Sequence, residues 1–444
     1  MNIRNFFHLN LILLFSFISL SACSQTSNKE LAIAFLKSMR EGKNSAACKQ
    51  FDSAVSSKIN EASLGKIWES IESTSGKYIK TDSIFTLTSK GSEIIVQTCR
   101  FQNSNLNLRL TFNSEHKISG IFFTPGESKS SYKNPPYALE NNIIEQKMEL
   151  VNGKYRLPAI LTLPKNVVKP PLIILVHGSG PNDMDETIGP NKIFKDLALG
   201  LATKGIATFR YDKRTKIYGS EIIKDTVNFT VKQETIEDAS EAVMIAKIFK
   251  EIDTAKIYLL GHSLGANQMP AILAISPAAK GAILMSGNAR PMEDLILEQY
   301  IYLDSLNSSP ESKAEVEKIG EKVSLVKSSK LSLKTPASDL PLGVPAGYWM
   351  DLKNYRPVET AMKLNQRLFI MQGERDYQVT MQDYKLWQNS LSGKSNVKFK
   401  SYPALNHLYQ EGSGKSNPNE YKTATHVPEY IIDDIVNWVN LIQH

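Results

Sequence analysis

The hydrophobic positions change period along the chain. Between Lys29 and Arg40, Leu31, Phe35 and Met39 recur at the i, i+4, i+8 spacing of one helix face, and Gly42 supplies a stop. A second helical stretch runs through Leu64, Ile67, Trp68 and Ile71 to Gly76. The period then drops to two. Leu106, Leu108, Leu110 and Phe112 alternate with Asn105, Asn107, Arg109 and Thr111, which gives a strand one apolar and one polar face. Runs at 78–88, 93–101 and 118–123 predict three more strands. Helices followed by an antiparallel sheet make a small α+β unit over 29–124. The stretch 125–137, with Pro125, Gly126, a Ser/Lys run, Pro135 and Pro136, reads as a linker.

From 138 onward the pattern is different. Asn152-Gly153 lies between strand-like runs at 143–151 and 154–163, a hairpin signal because a type I′ turn needs positive φ at both central positions. Leu172 to Val176 is continuously apolar, as a strand buried on both faces must be. Further strand-like runs fall at 206–211, 257–260, 281–286, 367–371 and 397–402, with helical periodicity around Leu197, Ala239, Ala266 and Ile435. Strands alternating with helices predict an α/β domain over 138–444, built on a doubly wound, mostly parallel sheet. Roughly 80 residues separate the strand near Ser286 from that near Arg367, far beyond an ordinary crossover. Residues 291–330 are helical and charged, and 338–355 are rich in Pro, Gly and aromatics. The insertion at 290–356 is expected to cap the carboxyl edge of the sheet, where α/β folds carry their sites; the alternative is a solvated insertion remote from it.

A chain of 444 residues exceeds one ordinary core. Its 42% hydrophobic and 22% charged residues place it among globular proteins. The net charge of +7 comes from scattered lysines, with no basic block dense enough for a nucleic-acid arm. Arg4, the apolar run Leu9 to Leu20 and then Leu20-Ser21-Ala22-Cys23 read as a secretory signal; the run is short for a membrane span. Those last four residues resemble the bacterial lipobox. The resemblance implies removal of 1–22, lipidation of Cys23, a tether at 23–28, and anchorage to the membrane of the bacterial cell envelope, facing the periplasm. Of the three cysteines, Cys48 and Cys99 then remain. In an oxidising compartment they form one disulfide or stay as two free thiols.

The chemistry gathers at Gly261-His262-Ser263-Leu264-Gly265, a G-x-S-x-G sequence between a buried strand and a helix. A serine hydroxyl needs a base within hydrogen-bond reach and a third group to orient that base. After Ser263 the histidines are His407, His426 and the terminal His444. His407 follows a predicted strand, whereas His426 precedes the last helix and is expected at the surface. Gln372-Gly373-Glu374-Arg375-Asp376 offers the acid. Glu374 and Asp383 are rivals to Asp376, Asp383 being read as the cap of its own helix. Backbone N–H groups of Leu264 and Ser179, the latter in His177-Gly178-Ser179-Gly180, are the candidate oxyanion donors. His177 and His262 are read as shaping residues. Asp183 and Asp185, on the loop 181–190, either hydrogen-bond a polar substrate or belong to a solvated loop, and Tyr300, Tyr348 and Trp349 belong to a pocket or to a core.

His-Gly-Ser-Gly, Gly-His-Ser-Leu-Gly, Gly-Glu-Arg-Asp and Asn-His in this order resemble the α/β-hydrolase family over about 140–444, nearest to capped serine esterases and the related aminopeptidase-like and acyl-thioesterase branches. That resemblance implies a triad of Ser263, Asp376 and His407 and no metal or organic cofactor. The unit at 29–124 resembles a small domain of unknown function found ahead of bacterial α/β hydrolases, with a nuclear-transport-factor-2-like roll. The expected function is a lipid-anchored serine hydrolase that cleaves carboxylic esters of a small-molecule or acylated substrate through an acyl-enzyme. Peptidase, thioesterase or acyltransferase chemistry with the same triad is the near alternative, and a non-catalytic envelope binding lipoprotein the distant one.

Overall fold

The structure, a computed structural model, describes residues 27–89, 92–102, 104–126, 132–222 and 229–441. Cys23 with the signal segment, and His444 at the other end, lie outside them. The chain divides into two compact units, Met1–Ser130 and Ser131–His444.

In the first unit, α1 (Asn28–Arg40) starts on a capping box: the Glu30 N–H donates to Ser27 Oγ, and the Ser27 N–H donates to the Glu30 carboxylate. Two helices too short to show a period follow, α2 (Asn44–Cys48) and α3 (Ser53–Ser56), then α4 (Glu61–Ser75), which stops at Gly76 with φ +78°. β1 (Tyr78–Ser89), β2 (Ser92–Phe101), β3 (Asn105–Phe112) and β4 (Ile118–Pro125) form an antiparallel meander. Phe35, Met39, Leu64 and Trp68 from the helices pack with the strand residues Ile95, Leu108, Leu110 and Phe112.

Cys48 and Cys99 share this core and stand as free thiols in the structure. Cys99 is fully buried on the inner strand β2, with its Sγ directed at the Gln97 carbonyl at 3.5 Å. Burial pushes its thiol up to about 11 and raises that of Cys48 as well. The thiolate that disulfide chemistry needs is therefore scarce. His116 is half-buried and meets Asn28 Oδ1 at 2.8 Å.

The second unit opens with β5 (Ile143–Asn152) and β6 (Tyr155–Pro164), turned by Gly153-Lys154 with Gly153 at φ +58°. Asn152 pairs with Tyr155 in the ladder and its φ is not positive, so the turn falls one residue later than Asn152-Gly153 and is not the type I′ turn. β7 (Leu172–Val176) follows, then a small ribbon of β8 (Thr187–Ile188) and β9 (Asn191–Lys192), α5 (Ile193–Thr203), β10 (Ala207–Tyr211) and α6 (Arg214–Ile222). A π-helical turn, Lys232–Ile236, leads into α7 (Glu237–Ala246), β11 (Ile257–His262), α8 (Leu264–Ile275) and β12 (Ala279–Met285). After the insertion, with α9 (Met292–Leu306), α10 (Pro310–Lys327) and α11 (Ala346–Asn354), come α12 (Pro357–Met362), β13 (Arg367–Gly373), α13 (Met381–Leu391), β14 (Val397–Tyr402) and α14 (Glu429–Asn440).

The sheet order is β14-β13-β12-β11-β7-β10-β6-β5. The strands from β14 to β10 run parallel, and the β5–β6 hairpin adds antiparallel to β10. Consecutive residues point to opposite faces, and both faces are covered. Leu259, Leu284 and Ile370 pack with Met269 and Ile272 of α8 and Trp387 of α13. Leu260, Ile283 and Phe369 pack with Phe194 and Leu197 of α5 and Ile431 and Trp438 of α14. Burial on both faces is why these strands read as unbroken apolar runs. The chain runs from β7 outward to β10 and then returns to β11 on the other side of β7. That reversal opens the crevice in which such sheets bind ligands.

The insertion is a cap over this crevice. Ile296, Ile319, Val326, Tyr348 and Trp349 gather around Leu264, the first residue of α8. Tyr348 and Trp349 are cap core, at 6% and 1% exposure. Their helix α11 lies in a Pro/Gly-rich stretch that showed no helical period. Asp383 also departs from expectation. It does not cap α13; its Oδ1 accepts the N–H groups of Ala289 and Arg290, and the Arg290 guanidinium donates to Oδ2 at 2.8 Å, fixing the base of the cap.

Candidate active site

Ser263 takes φ +54° and ψ −117° between β11 and α8, a conformation a non-glycine residue holds only where its surroundings impose it. The glycines around it make that possible. A Cβ on Gly261 would stand 2.5 Å from the Gly265 carbonyl, and one on Gly265 would run into the carbonyl oxygens of Val176 and His177. α8 can therefore start hard against the end of β7, leaving Ser263 part-exposed at the sheet edge. The Leu264 N–H belongs to the first turn of α8, where donors lack intrahelical partners.

Asp376 and His407 follow the ends of β13 and β14. Gly373 lets their loops meet, since a Cβ there would lie 2.5 Å from the Leu405 carbonyl oxygen. His407 Nδ1 lies 2.6 Å from Asp376 Oδ2, and both residues are buried. Asp376 Oδ1 accepts the N–H groups of Gln378 (2.8 Å) and Val379 (3.0 Å), and Gln372 Nε2 donates to Oδ2 at 3.2 Å. A carboxylate so ringed by donors selects the His407 tautomer with its proton on Nδ1, leaving Nε2 as the basic nitrogen. The His407 ring packs at a tilt against that of His262, the residue before Ser263, with centroids 4.7 Å apart. Among the described residues no hydrogen bond joins Ser263 Oγ to His407; such contacts tighten when substrate binds.

The rivals stand elsewhere. Glu374 is exposed and accepts the Ser401 hydroxyl. His426 bonds Asp196 in a separate cluster with Tyr132. Asp185 is spent on Arg210 and Lys192, and Asp183 accepts the Thr187 N–H.

The loop after β7 sits against the serine: a Cβ on Gly178 would be 3.2 Å from Ser263 Cβ. The Gly178 N–H donates to Glu186 Oε1 at 2.7 Å, and the Gly180 N–H to Glu234 Oε1 at 3.1 Å. Among the described residues the Ser179 N–H, between them, has no acceptor. Lys213 Nζ donates to the Gly178 carbonyl at 2.6 Å and to Glu234 Oε1 at 2.5 Å. Burial pushes His177 down to about 4, so it is neutral, and it packs against Phe194 and Tyr211.

Glu186, Lys213 and Glu234 thus shape the site without any sequence signal to mark them, since each sits in a polar stretch outside the periodic runs. Arg375 and Glu420 are similar. Arg375 donates to the Gly414 carbonyl and to Glu420, and Glu420 also receives Asn406 Nδ2, which braces the His407 loop. Among the described residues no group of three or more His, Cys, Asp or Glu is placed to hold a metal.

Residues 32–121 match a family described as a protein of unknown function, DUF3887. Esterase EstD of Thermotoga maritima is 37% identical over 408 residues, covering 92% of this chain and 94% of that one. Among solved structures, Est1E from Butyrivibrio proteoclasticus aligns at a TM-score of 0.44 and 18% identity, over 66% of this chain and 96% of that one. A hyperthermophilic esterase from Pyrobaculum calidifontis aligns at 0.42 and 13%, over 67% and 85%.

Proposed function

The chain belongs to the α/β-hydrolase esterase family of which Thermotoga maritima EstD is a member, and from that membership we propose a serine esterase whose nucleophile is Ser263. The observation that carries the assignment of roles is the 2.6 Å contact between His407 Nδ1 and Asp376 Oδ2 beside the strained elbow. Ser263 Oγ attacks the ester carbonyl carbon while His407 Nε2 takes its proton. The carbonyl oxygen, now negative, is met by the N–H groups of Leu264 and Ser179. His407 returns the proton to the departing alcohol, and an acyl-enzyme remains. Water, deprotonated by the same nitrogen, releases the acid and regenerates Ser263. Asp376 keeps the imidazole in one tautomer and stabilises the imidazolium as it forms.

The substrate proposed is a small or acylated carboxylic ester that reaches Ser263 beneath the cap. The protein is further proposed to be exported and held at the envelope membrane by lipid on Cys23, as Leu20-Ser21-Ala22-Cys23 supports. A fluorophosphonate probe tests the reaction class together with a panel of short and long acyl nitrophenyl esters. Labelling and turnover, both lost in Ser263→Ala, are expected; a folded wild type that neither labels nor turns over refutes the assignment.

A further inference from the structure

We propose that Glu186 and His262 are positioning residues of this hydrolysis: together they tie the oxyanion loop to the loop that carries His407 and fix that base relative to Ser263. The inference rests on the esterase reading above.

Glu186 is 1% exposed and His262 2%. Glu186 also holds φ +49°, a backbone state that a residue with a side chain adopts under constraint. Its Oε1 takes the Gly178 N–H at 2.7 Å, and its Oε2 lies 3.2 Å from His262 Nδ1. The second contact is a close carboxylate–imidazole approach, an ion pair when His262 is protonated, rather than a well-directed hydrogen bond. On its other side His262 Nε2 donates to the His407 carbonyl oxygen at 2.9 Å, with the two rings 4.7 Å apart. One buried path therefore crosses from the oxyanion loop, through the residue before the nucleophile, to the base.

Burial opposes charge on both members, but each overcomes it through the other. The carboxyl of Glu186 falls below the usual carboxylate range and the imidazole of His262 rises above its ordinary value. The remaining charged or titratable neighbours are His177 on the Glu186 side, with Lys213 and Asp183 beyond it, and His407 with Asp376 on the His262 side. A buried ion pair contributes little stability that apolar packing would not match. Its use here is directional. It holds two loops in register, and its cationic end faces His407 while its anionic end faces away. That imidazole sits ring against ring beside the base through which the protons of the reaction pass.

His262→Gln keeps an N–H donor for the His407 carbonyl but removes the cation; Glu186→Gln keeps an acceptor for the Gly178 N–H but removes the anion. Each is compared with wild type on a nitrophenyl ester across about pH 5 to 9, with active sites counted by fluorophosphonate labelling. Expected in both are a fall in kcat per labelled site of about ten- to a hundred-fold with KM changed less than about threefold. The acid limb of kcat/KM should also move up by about half a pH unit or more. If His262→Gln does not fold, Glu186→Gln carries the same readouts. A limb that stays in place overturns the role, whether kcat falls or not, because a purely structural part would lower activity without moving it. An unchanged kcat overturns it equally. A wild type that neither labels nor turns over removes the esterase reading and this role with it.

Discussion

The hydroxyl of Tyr348, in the cap, meets the carboxylate of Glu234, in the π-helical turn before α7, at 2.5 Å. The other oxygen of that carboxylate holds the Gly180 N–H and the Lys213 ammonium. One buried group thus anchors the lid and the loop that offers the Ser179 N–H. A π-helical turn is rarely kept without a use, and here it aims Glu234 at both partners.

Tyr348→Phe removes a single hydroxyl and leaves Glu234 Oε2 without that donor. The expected loss is about 1–3 kcal/mol of stability, read as a lower urea midpoint at unchanged m-value. kcat/KM for a nitrophenyl ester should fall as well, since the oxyanion loop loses part of its bracing. A wild-type midpoint with wild-type kinetics would show that the contact anchors nothing.

Three carboxylates near the base are separable by substitution. Asp376→Asn replaces the carboxylate that fixes the His407 tautomer with an amide whose NH2 can face Nδ1, and kcat should fall about 10³–10⁴-fold with the fold intact. Glu374→Gln, on an exposed side chain that meets Ser401, should stay within about twofold of wild type. Asp383→Asn removes the buried one of the two carboxylates that pair with Arg290 at the cap base, leaving Glu298, and should cost stability, about 2–4 kcal/mol, before it costs chemistry. Steady-state kinetics beside urea denaturation of all three variants decides; a large loss of kcat in Glu374→Gln with little in Asp376→Asn would reassign the acid.

What was legible in the sequence follows from what local chemistry can encode. Leu172–Val176 and Ile257–Leu260 announce doubly buried strands because they are short, unbroken apolar runs that end at glycine-rich turns. Ser263 and His407 stand out because the elbow needs glycines at 261 and 265 and few histidines lie downstream. Asp383 misleads because Thr380-x-x-Asp383 imitates a capping box, while the actual partner, Arg290, is 93 residues away. Glu186, Lys213 and Glu234 stay hidden for the same reason: their role depends on neighbours 8 to 114 residues distant. α11 leaves no helical period in the sequence because its helix is imposed by burying Tyr348 and Trp349 in the cap core, against a local composition of Pro and Gly.

The two thiols of the small unit give a plain test of its core. Burial raises both, and Cys99 is inaccessible. Without reductant, a maleimide reagent should modify Cys48 slowly and Cys99 only once the unit is unfolded, and the urea midpoint should not respond to dithiothreitol. A reductant-dependent midpoint, or resistance of both thiols in denaturant until reductant is added, would restore the disulfide.

Acid should destabilise the second unit through His177. Its folded value lies near 4 because burial disfavours the imidazolium, against about 6.5 in the unfolded chain. Between those values the unfolded state binds a proton that the folded state refuses, so stability rises with pH across that window and falls on acidification. The full displacement is worth about 3 kcal/mol at pH near 4. His262 opposes this: its folded value is raised, so its stabilisation is complete in acid and is lost as pH climbs through that value. Glu186 acts with His177, because its depressed carboxyl contributes above its unfolded value and fades as pH falls through the folded one. His177→Asn removes one contribution alone. Urea denaturation at several pH values between about 4 and 7 should therefore give the variant a shallower acid slope than wild type, whatever its stability at neutrality. Parallel slopes would mean that the His177 ring takes up its proton in the folded protein as readily as in the unfolded chain.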